Sequence, residues 1–179
     1  MKRLQLIFCV ETNKQSNTDF RYIKSLIDKF YEYNNGHILI KPVYLGGKGK
    51  YTTRKNIGEI NRLIRQFSAS ADNSESYVFL CIDCDKYDSN PADRLFLTQA
   101  EEYCHSKHNY SLIWFCRDVE DVFLGHQVPN NQKKAEANRF VKNHMIDHID
   151  AQNLTGTKYK AHSSNICLVL DQLLIVRKK

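Results

Sequence analysis

Three acidic residues, Glu11, Asp83 and Asp85, stand where apolar runs of the sequence stop. Glu11 follows the run from Leu4 to Val10. Asp83 and Asp85 close the run Phe79-Leu80-Cys81-Ile82-Asp83-Cys84-Asp85. On a strand that continued that far, alternation would put Asp83 and Asp85 on one side. Carboxylates held together repel each other, and a cation relieves the repulsion. Hard oxygen donors favour Mg²⁺ or Mn²⁺ over zinc. The competing reading is plain turn chemistry, with Asp85 opening a turn shared with Asp88, Ser89 and Asn90. Glu11, arriving at the same edge from a different part of the chain, favours the metal.

A second acidic group, Asp118, Glu120 and Asp121, follows the apolar run from Tyr110 to Cys116. Glu120 is a candidate ligand for a second metal or a support for the first. Acids there also suit the first turn of a helix, where the dipole favours negative charge. Lys48 and Lys50 lie in the Gly-rich segment Gly46-Gly47-Lys48-Gly49-Lys50, which lacks the spacing of a Walker A loop. Lys158 and Lys160 precede Ser163 and Ser164, expected to cap a last helix. These four lysines are the candidate contacts to a phosphate backbone, solvated turns being the alternative.

The elements that must position these residues read as alternating strands and helices. Strands are expected near residues 4–10, 38–45, 77–83 and 110–116. Pro42 cannot donate to a ladder, so its strand belongs at an edge. Phe20, Ile23, Leu26, Ile27 and Phe30 recur at helical spacing, with Thr18 or Asp19 as the cap. Ile57, Ile60, Leu63, Ile64 and Phe67 mark a second helix, and Asn90-Pro91 opens a third. Two more are expected over about 133–149 and 163–175. This order implies an α/β fold, a mainly parallel four-stranded sheet with helices on both faces. Function then gathers at the carboxyl ends of the strands.

With 179 residues the chain suits one domain, with a core over about 4–125 and a helical extension over 126–179. The formal net charge of +6 suits a polyanionic partner such as nucleic acid. No run is long enough to span a membrane, and the expected location is the cytoplasm. Of the six cysteines, Cys81 and Cys84 form C-x-x-C. On a strand they would point to opposite faces, so they do not share a metal.

A glutamate ending the first strand, then a helix, then an apolar strand ending in D-x-D resembles the Toprim domain, a Rossmann-like fold. The segment Val10-Glu11-Thr12 to Asn17-Thr18-Asp19-Phe20-Arg21-Tyr22 is also similar to the opening of RloB-like proteins, Toprim relatives linked to phage defence and akin to OLD-type nucleases. The resemblance covers roughly residues 4–123. It implies Mg²⁺- or Mn²⁺-dependent phosphodiester chemistry on nucleic acid. Glu11 would be a metal ligand or general acid/base, and Asp83 and Asp85 metal ligands. Such proteins usually carry Gly directly after the glutamate, where this chain has Thr12. That departure leaves open a non-catalytic interaction module of the same fold. Any ATP gating would come from a separate ATPase partner chain.

Overall fold

The computed structural model describes residues 2–34, 36–70, 72–173 and 176–178. The chain begins with β1 (Arg3–Val10), α1 (Thr18–Phe30), β2 (Tyr31–Glu32) and β3 (Ile38–Tyr44). A 3-10 turn at Lys50–Thr52 leads to α2 (Arg54–Ser70), β4 (Ser74–Asp83), α3 (Pro91–His105), β5 (Tyr110–Cys116) and α4 (Val119–Leu124). Then come α5 (Lys133–Lys142), 3-10 turns at Met145–His148 and Ala151–Leu154, β6 (Ser163–Ser164), α6 (Ile166–Asp171) and β7 (Val176–Arg177).

The main sheet has the order β3-β1-β4-β5-β6. Its first four strands are parallel, and β6 runs antiparallel to β5. β3, which carries Pro42, is an edge strand, as its missing N–H requires. β2 and β7 form a separate antiparallel pair.

Side-chain alternation divides the interior in two. Leu6, Phe8 and Val10 of β1, Phe79 and Cys81 of β4, and Ile113 and Phe115 of β5 share one core with Tyr22, Ile23, Leu26 and Ile27 of α1. Ile7, Cys9, Val78, Leu80, Ile82, Leu112 and Trp114 face the other way, against Ile60 of α2 and Leu97, Ala100 and Cys104 of α3. Helices therefore cover both faces. That is why the parallel strands read as unbroken apolar runs rather than alternating ones. Cys81 and Cys84 fall in opposite cores, and all six cysteines are free and buried.

The expectation of four strands is corrected to five. Ser163 and Ser164 pair with Cys116 and Phe115 instead of starting a helix. Asn165 continues the cover of that edge, accepting from the Trp114 amide and donating to the Leu112 carbonyl, each at 2.9 Å. Backbone groups of β5 that would stay unpaired are thereby satisfied. The last helix is only α6; residues 174 and 175 of the expected span lie outside the described residues. The helix expected over 133–149 stops at Lys142, because His144 adopts φ 51°, a left-handed conformation that ends a helix.

The segment after residue 125 packs against the face of the sheet that α1 covers. Ala137, Phe140, Ile146, Leu154, Ile166, Cys167 and Leu170 join the core beside α1. Among the described residues no helix is long and apolar enough to cross a membrane.

Candidate functional site

The chain leaves β1 for β3 on one side and returns to β4 on the other, so the sheet order reverses between β1 and β4. In open parallel sheets a crevice forms outside the carboxyl ends at such a point. A cleft of about 530 Å³ lies there, lined by Glu11, Asp19 and Asp83 together with Lys133 and Lys134. Thr12, Gly46, Gly47 and Asn130 complete much of its wall.

Glu11 is the first residue beyond β1, and Asp83 is the last of β4. The Asp83 amide donates to Glu11 Oε1 at 3.1 Å, so the two strand ends meet directly. Asp83 Oδ1 accepts from the Val119 amide at 3.1 Å, which ties the start of α4 to the same point. The loop between β1 and α1 is folded by Asn13, whose Oδ1 accepts from the amides of Gln15 and Ser16. That fold brings Asp19 back toward Glu11. Asp19 Oδ2 accepts from the Thr12 amide at 3.2 Å, and Oδ1 from the Thr18 hydroxyl at 3.1 Å. Neither Thr18 nor Asp19 caps α1; the capping position is Asn17, at φ 47° and without a side-chain capping bond among the described residues.

Asp85 is outside the cleft lining, although its charge reaches Glu11. β4 ends at Asp83, and Asp85 adopts φ 49°, so strand alternation does not reach it. Its carboxylate pairs with Lys48 and does not line the cleft. Lys48 also bonds Asp93 at 2.7 Å and lies 4.8 Å from the Phe96 ring centre. Among the expected phosphate contacts, Lys48 is thus held by two carboxylates. Lys50 opens the 3-10 turn, and Lys158 and Lys160 are exposed in the segment leading to β6; none of the three lines the cleft.

The second acidic group divides by role. Asp118 caps α4, accepting from the Asp121 amide at 2.8 Å. Glu120 turns inward and is 0% exposed. Its Oε2 receives the Lys133 ammonium at 2.8 Å, with Asp118 3.6 Å from the same nitrogen. Glu120 is therefore an ion-paired carboxylate, and its Oε1 is buried without a partner among the described residues.

The electrostatics follow from burial of like charges. Glu11 is pushed up to about 7, first by burial and then by the charges of Asp19 and Asp85; the Asp83 amide and Lys48 act in the opposite sense. Burial also lifts Asp19, against its bonds from Thr12 and Thr18. Asp83 keeps some surface open to the cleft, yet burial drives its pKa well above the usual carboxylate range, with Glu11, Asp19 and Asp118 adding to the rise. Burial opposes the charge of Lys133, but its bond to Glu120 and the nearby acids hold its pKa above the ordinary lysine value. Burial raises Glu120 as well, though Lys133 counteracts this, and an ammonium at 2.8 Å keeps the pair ionic.

Among the described residues, no three His, Cys, Asp or Glu side chains are already drawn together as a metal cage. The donor set nonetheless suits a hard divalent cation: all its atoms are carboxylate oxygens, and their mutual repulsion is what such an ion relieves. Three cleft residues, Asp19, Lys133 and Lys134, are not marked for that role by the sequence. Asp19 reads as an ordinary helix-start acid. Lys133 and Lys134 carried a signal, because cations in the first turn of a helix oppose the dipole and need a local reason. No protein-family model matches the chain, and no curated protein matches it significantly.

Proposed function

We propose that the chain is a Mg²⁺- or Mn²⁺-dependent, Toprim-like nuclease that hydrolyses phosphodiesters of nucleic acid. The observation that carries this reading is the meeting of Glu11, Asp19 and Asp83 with Lys133 and Lys134 in one cleft at the sheet's switch point. A phosphodiester presents negative oxygens that need cations, while the acids need a cation to coexist. One divalent ion between them answers both requirements.

Glu11 and Asp83 would hold the ion, with Asp19 as a third oxygen donor. The bound ion would supply Lewis acidity and a more acidic water. Asp83 is positioned for this by its two amide contacts, to Glu11 and from Val119. Lys134 is exposed where the cleft opens and would draw the phosphate backbone in. The net charge of +6 supports the same class of partner.

The test is cleavage of labelled DNA and RNA in Mg²⁺ or Mn²⁺ by the wild-type protein and by Asp83→Ala. Metal-dependent cleavage that Asp83→Ala abolishes is expected. Binding of nucleic acid without cleavage by the folded, metal-supplied protein would replace this reading with an interaction module. Thr12 favours that second reading, because its side chain lines the cleft beside Glu11.

A further inference from the structure

Lys133 is placed unlike Lys134, its neighbour in the cleft lining. It leaves the first turn of α5, against the helix dipole, and ends among acids on α4. Its ammonium touches Glu120 at 2.8 Å and Asp118 at 3.6 Å. Glu120 is 0% exposed, and its second oxygen has no partner among the described residues. A buried carboxylate with a free oxygen is a costly arrangement unless a cation is at hand. Here the cation is covalently attached to the chain.

We propose that the Lys133 ammonium occupies a second cation position behind the cleft lining, formed by Glu120 and Asp118, so that the protein takes up one divalent ion rather than two. This inference rests on the metal-dependent reading above and specifies its stoichiometry. Glu11, Asp19 and Asp83 form the position that stays open to a metal. The ammonium neutralises the deeper acids at a smaller dehydration cost than Mg²⁺, which gives up its waters reluctantly. Its length reaches Glu120 from a different element, so the closed charge pair also joins α5 to α4. Removal of that charge leaves an oxygen-only pair of carboxylates, one of them with a vacant oxygen, and a second divalent ion becomes the available counter-charge.

The experiment counts Mn²⁺ bound to the full chain by isothermal titration calorimetry, with the Mn²⁺ spin signal as an independent count. Wild type should bind one ion. Lys133→Met should bind two, and its melting temperature should rise more on adding Mn²⁺ than that of wild type. Lys133→Gln keeps a hydrogen-bond donor for Glu120 and should also bind two, which covers the case in which Lys133→Met does not fold. Lys133→Arg and the double change Lys133→Met with Glu120→Gln should return the count to one. Two ions on wild type, or one on both Lys133→Met and Lys133→Gln, would overturn the proposal while leaving the metal-dependent reading standing. No ion on wild type but one on Lys133→Gln would support the exchange and remove that reading. No ion on any of them would remove both.

Discussion

The backbone amide of Asp83 donates to the carboxylate of Glu11 at 3.1 Å, joining the end of β4 to the end of β1. These residues are 72 positions apart in the chain. The bond holds Glu11 at the mouth of the switch-point cleft, close to Asp19 and Asp83, where its charge is poorly solvated and poorly tolerated.

Glu11 should therefore make the metal-free protein sensitive to pH. Its folded pKa of about 7 lies above its ordinary value of 4.5, so the folded state holds the proton more tightly. Its contribution to stability is present below about pH 4.5 and is lost as pH rises through about 7. The loss should be on the order of 1–3 kcal/mol. Melting curves between pH 4.5 and 8 should fall more steeply for wild type than for Glu11→Gln, which keeps the raised acids Asp19 and Asp83. Added Mn²⁺ should recover the wild-type loss at the alkaline end. Parallel curves for the two proteins would show that Glu11 is not under this strain.

The acids of the cleft should not be equivalent. Asp83→Asn and Asp19→Asn should each weaken Mn²⁺ binding at least tenfold, or about 1.4 kcal/mol. Asp85→Asn should weaken it much less, since its carboxylate is spent on Lys48 outside the cleft lining. Calorimetric titration separates these outcomes. An Asp85→Asn loss as large as that of Asp83→Asn would mean that Asp85 turns into the cleft when metal binds.

Nucleic-acid binding should follow the lysines that the fold brings to the cleft. Lys134→Ala should weaken binding across sequences and reduce the slope of log affinity against log salt by about 0.7–0.9, the loss of one phosphate contact. Lys160→Ala should change that slope less, because Lys160 lies outside the cleft lining. Fluorescence anisotropy over a range of salt concentrations measures both. Equal slopes for wild type and Lys134→Ala would take the phosphate track away from this helix.

The segment after residue 125 should prove essential to the body of the domain. Phe140 packs 4.8 Å from the Tyr22 ring and 5.8 Å from Phe123, linking α5 to α1 and α4. Phe140→Ala should cost about 3–5 kcal/mol of stability through lost burial and a residual cavity. Denaturant unfolding should show one cooperative transition shifted to lower concentration. A small shift would mean that α5 packs only loosely on the rest.

The sequence by itself determined the alternation of elements, because each buried strand must be apolar on both faces and each helix along one stripe. It also placed Pro42 on an edge and Glu11 and Asp83 at the carboxyl ends of two strands. Those are local consequences of periodicity and of a missing donor. What tertiary structure alone decided lies where backbone geometry or distant contacts intervene. Asp85 left the Asp83 face because the strand stops and φ turns positive, which no alternation pattern encodes. Ser163 and Ser164 became a strand because β5 needed its edge covered, although two residues carry no periodicity. Asp19 entered the cleft through a bond to the Thr12 amide, and Lys133 through Glu120 on another helix. Charge type and sequence position marked these residues as polar; only the folded chain chose which charges meet, since burial sets the cost of leaving any of them unpaired.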